Sequence, residues 1–241
     1  MRVTAHHCFV LHQRSYRETS LLLDVFSAEH GRTAMVARGA RRGKSAQALI
    51  LQPYHKLMLS WVAHNELGTL TSVESAGINY QLTGSQSFAG FYINELTLRL
   101  LDKQESHGDL FVAYENALQH LVRDNDQETC LRNYELKLLE ATGFGLVLDH
   151  DVRTGMPVDA EEEYYYIFEY GPIKADGLTH ADHVEINGAT LQALAAGSFT
   201  DEQSRREAKI LLRREIERHL RGKPLASRDL YMNYKKYSEQ T

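Results

Sequence analysis

Cysteine is almost missing from this chain: Cys8 and Cys130 are the only two in 241 residues, they lie far apart, and they form no C-x-x-C pair. A disulfide scaffold and a cysteine-rich zinc site are therefore excluded, and a reducing compartment fits best. Long apolar runs are missing too. No stretch reaches the ~20 apolar residues of a membrane span, and Met1-Arg2-Val3-Thr4-Ala5-His6-His7-Cys8 lacks the apolar region of a signal peptide. A cytoplasmic protein without a membrane partner is expected. Catalytic signatures are equally scarce, with no G-x-S-x-G, no G-x-G-x-x-G and no nucleophile context at either cysteine. Gly43-Lys44-Ser45 matches only the end of a Walker A motif, because Arg38 stands where the first glycine would be. These absences point away from an enzyme and predict no cofactor and no bound metal.

What is present is charge, unevenly spread. The net charge of -5 conceals basic ends around an acidic middle. Residues 1–80 carry nine Lys and Arg against five Asp and Glu, and residues 201–241 carry eleven against seven. Between them, residues 81–150 carry five against eleven and residues 151–200 two against nine. Basic ends can offer phosphates a surface while the middle repels nucleic acid or meets proteins. Scattered charge on an acidic globule is the alternative.

The hydrophobic pattern divides the chain in two, as its length allows. Residues 1–80 read as five strands: Cys8–His12, Ser20–Phe26, Arg32–Arg38, Lys56–Val62 and Leu67–Val73. In the second, Leu21, Leu23 and Val25 share a face, and in the fourth so do Leu57, Leu59 and Trp61. Five short strands in this space suit an OB-type β-barrel. Residues 81–241 change period. Phe88 to Leu100, Leu110 to Leu121 and Leu131 to Ala141 repeat at three- and four-residue steps, with Gly84-Ser85 opening the first helix and Gly143-Phe144-Gly145 closing the third. A last helix is expected over residues 201–221, with Ala208, Leu212, Ile216 and Leu220 on one side and Arg206, Arg213, Arg214, Arg218 and Arg221 opposite. Residues 149–188 are the hardest to read, with one strand at Tyr164–Tyr170 between turns. The fold class is α+β, a barrel followed by a mainly helical domain.

The strongest local feature is Ala37-Arg38-Gly39-Ala40-Arg41-Arg42-Gly43-Lys44-Ser45, in which glycines between cations let backbone approach phosphates. Arg38, Arg41, Arg42 and Lys44, supported by Arg14, Arg17 and Arg32, are the candidate DNA contacts; a solvated loop that binds nothing is the alternative. Single-strand binders add rings on which bases stack. Tyr16, Tyr54 and Trp61 are candidates, with Tyr16 in an exposed polar turn and Trp61 better suited to the core. A metal-dependent hydrolase using His150 in Asp149-His150-Asp151, or His180 and His183 in His180-Ala181-Asp182-His183, is a competing reading, although neither segment matches H-E-x-x-H and both fit turns. A purely protein-binding adaptor is another.

In sequence order, Phe9-Val10-Leu11-His12, Tyr16-Arg17-Glu18-Thr19-Ser20, Val36-Ala37-Arg38-Gly39-Ala40-Arg41, Tyr92-Ile93-Asn94-Glu95-Leu96, Leu131-Arg132-Asn133-Tyr134-Glu135-Leu136, Gly143-Phe144-Gly145 and Gly222-Lys223-Pro224-Leu225-Ala226-Ser227-Arg228 resemble the bacterial RecO family of recombination mediators. The resemblance implies an N-terminal OB domain, a helical bundle and, in many members, a four-cysteine zinc finger. Here the finger's cysteines are replaced by residues such as Asp151 and Gly155, so residues 146–188 are expected to be a degenerate, zinc-finger-like insertion without metal. The resemblance also implies binding of single- and double-stranded DNA, annealing of complementary strands, and cooperation with RecR to load RecA onto DNA coated by single-stranded DNA-binding protein (SSB). It further implies docking of the acidic C-terminal tail of SSB on the helical part. Such a tail seeks an apolar slot beside a cation. Arg132 is the first choice for that cation, unless it forms a helix salt bridge with Glu128 or Glu135.

Overall fold

The computed structural model describes all residues except 43–45, 65, 124–125, 176, 178–181, 221 and 239–241. The chain forms two compact units, Met1–Asn125 with Leu225–Thr241, and Asp126–Pro224.

In the first unit, β1 (Arg2–Tyr16), β2 (Ser20–Ser27), β3 (Gly31–Ala37), β4 (His55–His64) and β5 (Leu67–Asn79) pair in the order β1-β2-β3-β5-β4. Because β1 also pairs with β4, the sheet is a closed barrel. Of these strand pairs, β3 with β5 is parallel and the others are antiparallel. Leu21, Leu23 and Val25 point inward with Leu57, Leu59 and Trp61, as their alternation predicts. The short helix α1 (Ala46–Ile50) follows β3, and Ala40 and Leu51 on either side of it are buried in the barrel core.

β1 is far longer than the expected Cys8–His12. Its register shifts between Val3 and His6 and again between Val10 and His12, so polar residues fall out of phase and the alternation disappears from the sequence. Its middle is buried on both faces. Cys8 and Val10 belong to the barrel core, whereas Phe9 lies 5.3 Å from the Phe111 ring and 5.0 Å from that of Tyr114. Those rings belong to α3 (Gly108–Arg123), which with α2 (Ser85–Leu100) covers this outer apolar face. The bulge is itself used: Leu11 has no partner in β2, and its carbonyl accepts the side-chain amide of buried Asn94 at 2.8 Å. The Asn94 oxygen in turn accepts the Tyr114 hydroxyl at 2.7 Å. One α2 side chain thereby joins the strand irregularity to α3.

The sequence pattern did not anticipate α7 (Ala226–Ser238), which packs on α2 through Phe88, Tyr231 and Tyr234. Its first amides need acceptors, and Glu95 of α2 supplies them, accepting from Ala226 at 3.0 Å and Ser227 at 2.9 Å. Burial alone would raise the Glu95 carboxyl. The bonds from Ser227 and Ala226, with Arg99 nearby, outweigh it and hold the group below its ordinary value.

The second unit holds α4 (Gln127–Ala141), the sheet β7-β6-β8 (Gly171–Lys174, Glu163–Ile167, His183–Asn187), α5 (Gly188–Ala196) and α6 (Glu202–His219). The strand expected at Tyr164–Tyr170 stops at Ile167, because residues 168–170 turn with Glu169 at φ +69° and the chain returns as β7. On α6 the expected stripe is the buried one, Ala208, Leu212, Ile216 and Leu220. Asp151 organises the segment before the sheet. Only 3% exposed, its carboxylate accepts the amides of Arg153 and Thr154 at 2.8 Å and of Lys174, in β7, at 2.7 Å. Burial opposes this charge, but the bonds from Lys174, Thr154 and Arg153 prevail and depress the carboxyl.

Two substitutions test these anchors. Replacing Glu95 by Ala is expected to cost about 1–2 kcal/mol and to speed deuterium exchange in α7 selectively. Glu95 is depressed in the folded state, so its contribution is present above the unfolded carboxyl value and disappears as pH falls through the folded one. Asp151→Ala takes the acceptor from three part-buried amides and should lower stability by roughly 2–4 kcal/mol in urea unfolding.

Candidate nucleic-acid interface

The basic stretch lies at one end of the barrel, placed there by the backbone. β1 ends at Tyr16, Arg17 turns with φ +53°, and β2 begins at Ser20. Ala37 pairs with Leu21, so Arg38 leaves β3 beside that turn. Gly39, at φ +71°, reverses the chain, letting the Arg41 amide donate to the Thr19 carbonyl at 2.8 Å and the Arg42 amide to the Gly39 carbonyl at 3.0 Å. Ala40 turns into the core while Arg38, Arg41 and Arg42 stay exposed. Arg14 is exposed opposite Leu22, and the Arg17 guanidinium lies 5.3 Å from the centre of the half-buried Tyr16 ring. The structure therefore brings Arg14, Tyr16, Arg17, Arg38, Arg41 and Arg42 to one end of the barrel.

Pairing separates this cluster from the basic helix α6. Among the described residues, the arginines of the barrel end make no ion pair with a carboxylate, whereas those of α6 do. Arg205 meets Asp126 at 2.7 Å, Arg213 meets Glu217 at 2.9 Å, and Arg214 and Arg218 both reach Asp182 at 2.7 Å. Lys209 meets Glu128 at 2.7 Å. A carboxylate already on a guanidinium competes with phosphate for the same donors. The barrel end thus keeps its guanidinium donors uncommitted to carboxylates among the described residues.

Other candidates are placed differently. Lys44 lies outside the described residues. Arg32 pairs opposite Phe26, at the far end of β3, roughly 17 Å along the strand from Ala37. Its guanidinium donates to the Leu98 carbonyl near the end of α2, and its own carbonyl accepts the Gln104 amide at 3.1 Å, so it pins the helix end to the barrel. Trp61 is 1% exposed inside the barrel. Tyr54 is half-buried against α2, where burial pushes its hydroxyl upward.

Residues 1–79 match the profile described as Recombination protein O N terminal, and residues 82–229 that described as Recombination protein O C terminal. The DNA repair protein RecO of Methylococcus capsulatus is 44% identical over 230 residues, 95% of this chain and 93% of its own. That of Nitrosococcus oceani is 41% identical over the same shares, and that of Serratia proteamaculans 39% identical over 94% of this chain and 92% of its own. The chain belongs to the RecO family.

Several segments that carry the RecO resemblance meet in space: Leu11 with Asn94, and Glu95 with Ala226 and Ser227. Arg132, in another of them, forms the salt bridge that was one of its two expected roles. It is 7% exposed and grips Glu135, itself 1% exposed, through Nε at 2.7 Å and through a terminal nitrogen. Of the histidines weighed as metal ligands, His150 bonds Asp149 at 2.7 Å, His183 packs its ring edge-on to Tyr165, and His180 lies outside the described residues. Among the described residues, no three His, Cys, Asp or Glu side chains group as metal donors, and no helix is long and apolar enough to cross a membrane. The rings and lysines of α7 escaped sequence reading, although Ser227, Tyr231 and Tyr234 stand at helical steps.

Removing one partner of a buried ion pair leaves the other charge uncompensated. Arg132→Ala should destabilise the protein by about 3–5 kcal/mol in chemical denaturation. An Arg132→Met/Glu135→Leu variant should recover most of that loss.

Proposed function

We propose that this RecO-family protein is a non-catalytic, cytoplasmic recombination mediator whose barrel, of OB type, grips single- and double-stranded DNA at its arginine-bearing end. It anneals complementary strands and, with RecR, helps load RecA onto SSB-coated single strands. The observation that carries this reading is the convergence of Arg14, Arg17, Arg38, Arg41 and Arg42, exposed and unmatched by carboxylates among the described residues, around Tyr16. Guanidiniums on phosphates release counterions and lower the repulsion between two strands. Their contacts are with the backbone, so the bases remain available to pair. No bond is made or broken.

In this reading the SSB tail docks in the second unit at Arg132. Its carboxylate must compete with Glu135 for the donors of this buried guanidinium, and a planar fork can hold two carboxylates where a point charge cannot orient them. Arg132→Lys, which retains the positive charge, should then weaken binding of a labelled tail peptide by fluorescence anisotropy. The segment closed by Asp151 stands where many family members carry a zinc finger, with a carboxylate organising the loop in place of a metal.

The DNA reading is tested by anisotropy with labelled single-stranded DNA across a salt series. If about four phosphates are neutralised, log K falls against log salt with a slope of roughly -3, or about fifty-fold between ~50 and ~200 mM salt. An Arg38/Arg41/Arg42→Ala variant, changed only at exposed positions, should bind both strand types weakly and with a shallower slope. Salt-independent binding, or unchanged affinity in that variant, rules out the arginine end as the DNA contact.

A further inference from the structure

Exposed rings of the first unit are joined into a row by the half-buried rings of Tyr54 and Phe88. Phe91 of α2 is 46% exposed, and Tyr231 and Tyr234 of α7 are 43% and 45% exposed. Tyr54 lies 6.5 Å from Phe91, Phe91 is one helical turn from Phe88, and Phe88 lies 4.8 Å from Tyr234 and 5.8 Å from Tyr231. The Tyr54 end adjoins the arginine-bearing strand, since Gln52 hydrogen-bonds Gln13 at 2.8 Å and Gln13 precedes Arg14. At the other end stand Lys235 and Lys236, on a helix that carries Arg228 as well and Asp229 as its one carboxylate.

Backbone geometry supports the row. A Cβ on Gly90 would overlap the end of the Leu82 side chain and come within 2.9 Å of the Tyr54 ring, so the glycine lets both side chains lie close on α2 beside Phe91. Tyr54 holds φ +68°, a conformation that side-chain-bearing residues seldom adopt. Two local costs, a helix-interior glycine and a left-handed tyrosine, are accepted where the ring meets the helix.

We propose that this row is a base-stacking platform for single-stranded nucleic acid, continuing from the arginine end of the barrel over Phe91 to Tyr234 and the lysines of α7. The proposal rests on the nucleic-acid reading above and adds to it a preference for unpaired bases. Every base has a face that stacks on an aromatic ring, so such a platform tolerates any sequence, and neighbouring cations hold the backbone. Rings alone would also suit a protein interface, but lysine is depleted from the cores of such interfaces, and Lys235 and Lys236 beside the row favour a phosphate backbone. A duplex hides its base faces, so stacking is lost as two strands pair while phosphate contacts persist. The row thus favours unpaired strands before annealing and loosens its hold on the duplex afterwards.

The experiment titrates the full-length protein, Phe91→Ala and Phe91→Trp with labelled oligo-dT and with a duplex of equal length at one salt concentration. Phe91→Ala should weaken oligo-dT binding at least about five-fold and leave duplex binding within about two-fold, as loss of one stacking contact predicts. Phe91→Trp should retain affinity, and its emission, added to that of buried Trp61, should be quenched by oligo-dT and not by duplex. Unchanged oligo-dT affinity in Phe91→Ala, or Phe91→Trp emission unmoved at saturating oligo-dT, overturns the proposal. So does a change in self-association on sedimentation of Phe91→Ala with its DNA affinity intact, which would make the face a protein contact. The Arg38/Arg41/Arg42→Ala variant, run alongside, separates the two failures. If it loses both DNAs while Phe91→Ala loses neither, only the platform fails; if neither variant loses DNA, the nucleic-acid reading itself fails.

Discussion

The first unit depends on β1 being hydrogen-bonded along both edges. Pairing with β2 on one side and β4 on the other closes the sheet, leaving the barrel without an open edge. A strand in that position, buried inside by the barrel core and outside by α3, must be apolar on both faces, and Cys8-Phe9-Val10-Leu11 is. The bulge at Leu11 then exposes a carbonyl that has no partner in β2, and Asn94 takes it. An unpaired buried carbonyl is costly, so the strand irregularity and the helix that answers it are one device.

The same accounting of partners distinguishes the two basic regions. On α6, arginines alternate with glutamates at helical spacing and face acids of neighbouring elements, so much of their charge is used in fastening the second unit. At the barrel end, tight turns project arginines outward from Arg17 and from Gly39, where no acid pairs with them among the described residues. Net charge does not capture this difference. Unmatched positive charge gathered in one place produces a local field that net charge hides, and here two turns joined through the Arg41 amide and Thr19 carbonyl gather it.

Where local pattern and tertiary environment agree, the sequence was readable. β2 and the middle of β4 alternate cleanly, and their inward residues were identifiable, Trp61 among them. The stripe of α6 was equally plain. Legibility failed where long-range contacts override periodicity. The ends of β1 fall outside the strand expected at Cys8–His12 because bulges shift their phase. α7 was missed because much of it is exposed and its first turn is capped by Glu95, more than a hundred residues earlier in the chain. Lys44 lies outside the described residues, while Arg32, which looks like its neighbours in sequence, is taken up in holding α2.

The sequence alone determined the class of fold, the order of barrel and helices, the family, and a concentration of cations near residue 40, because each is written in local periodicity, spacing or motif order. Only the tertiary structure decided which cations are matched and which are not, that Arg132 is gripped by Glu135, and that rings from residues 54, 91 and 234 stand in one row. Those outcomes depend on which distant side chains arrive at the same place. Spacing along a chain does not encode that; the closure of the barrel and the docking of α7 on α2 create it.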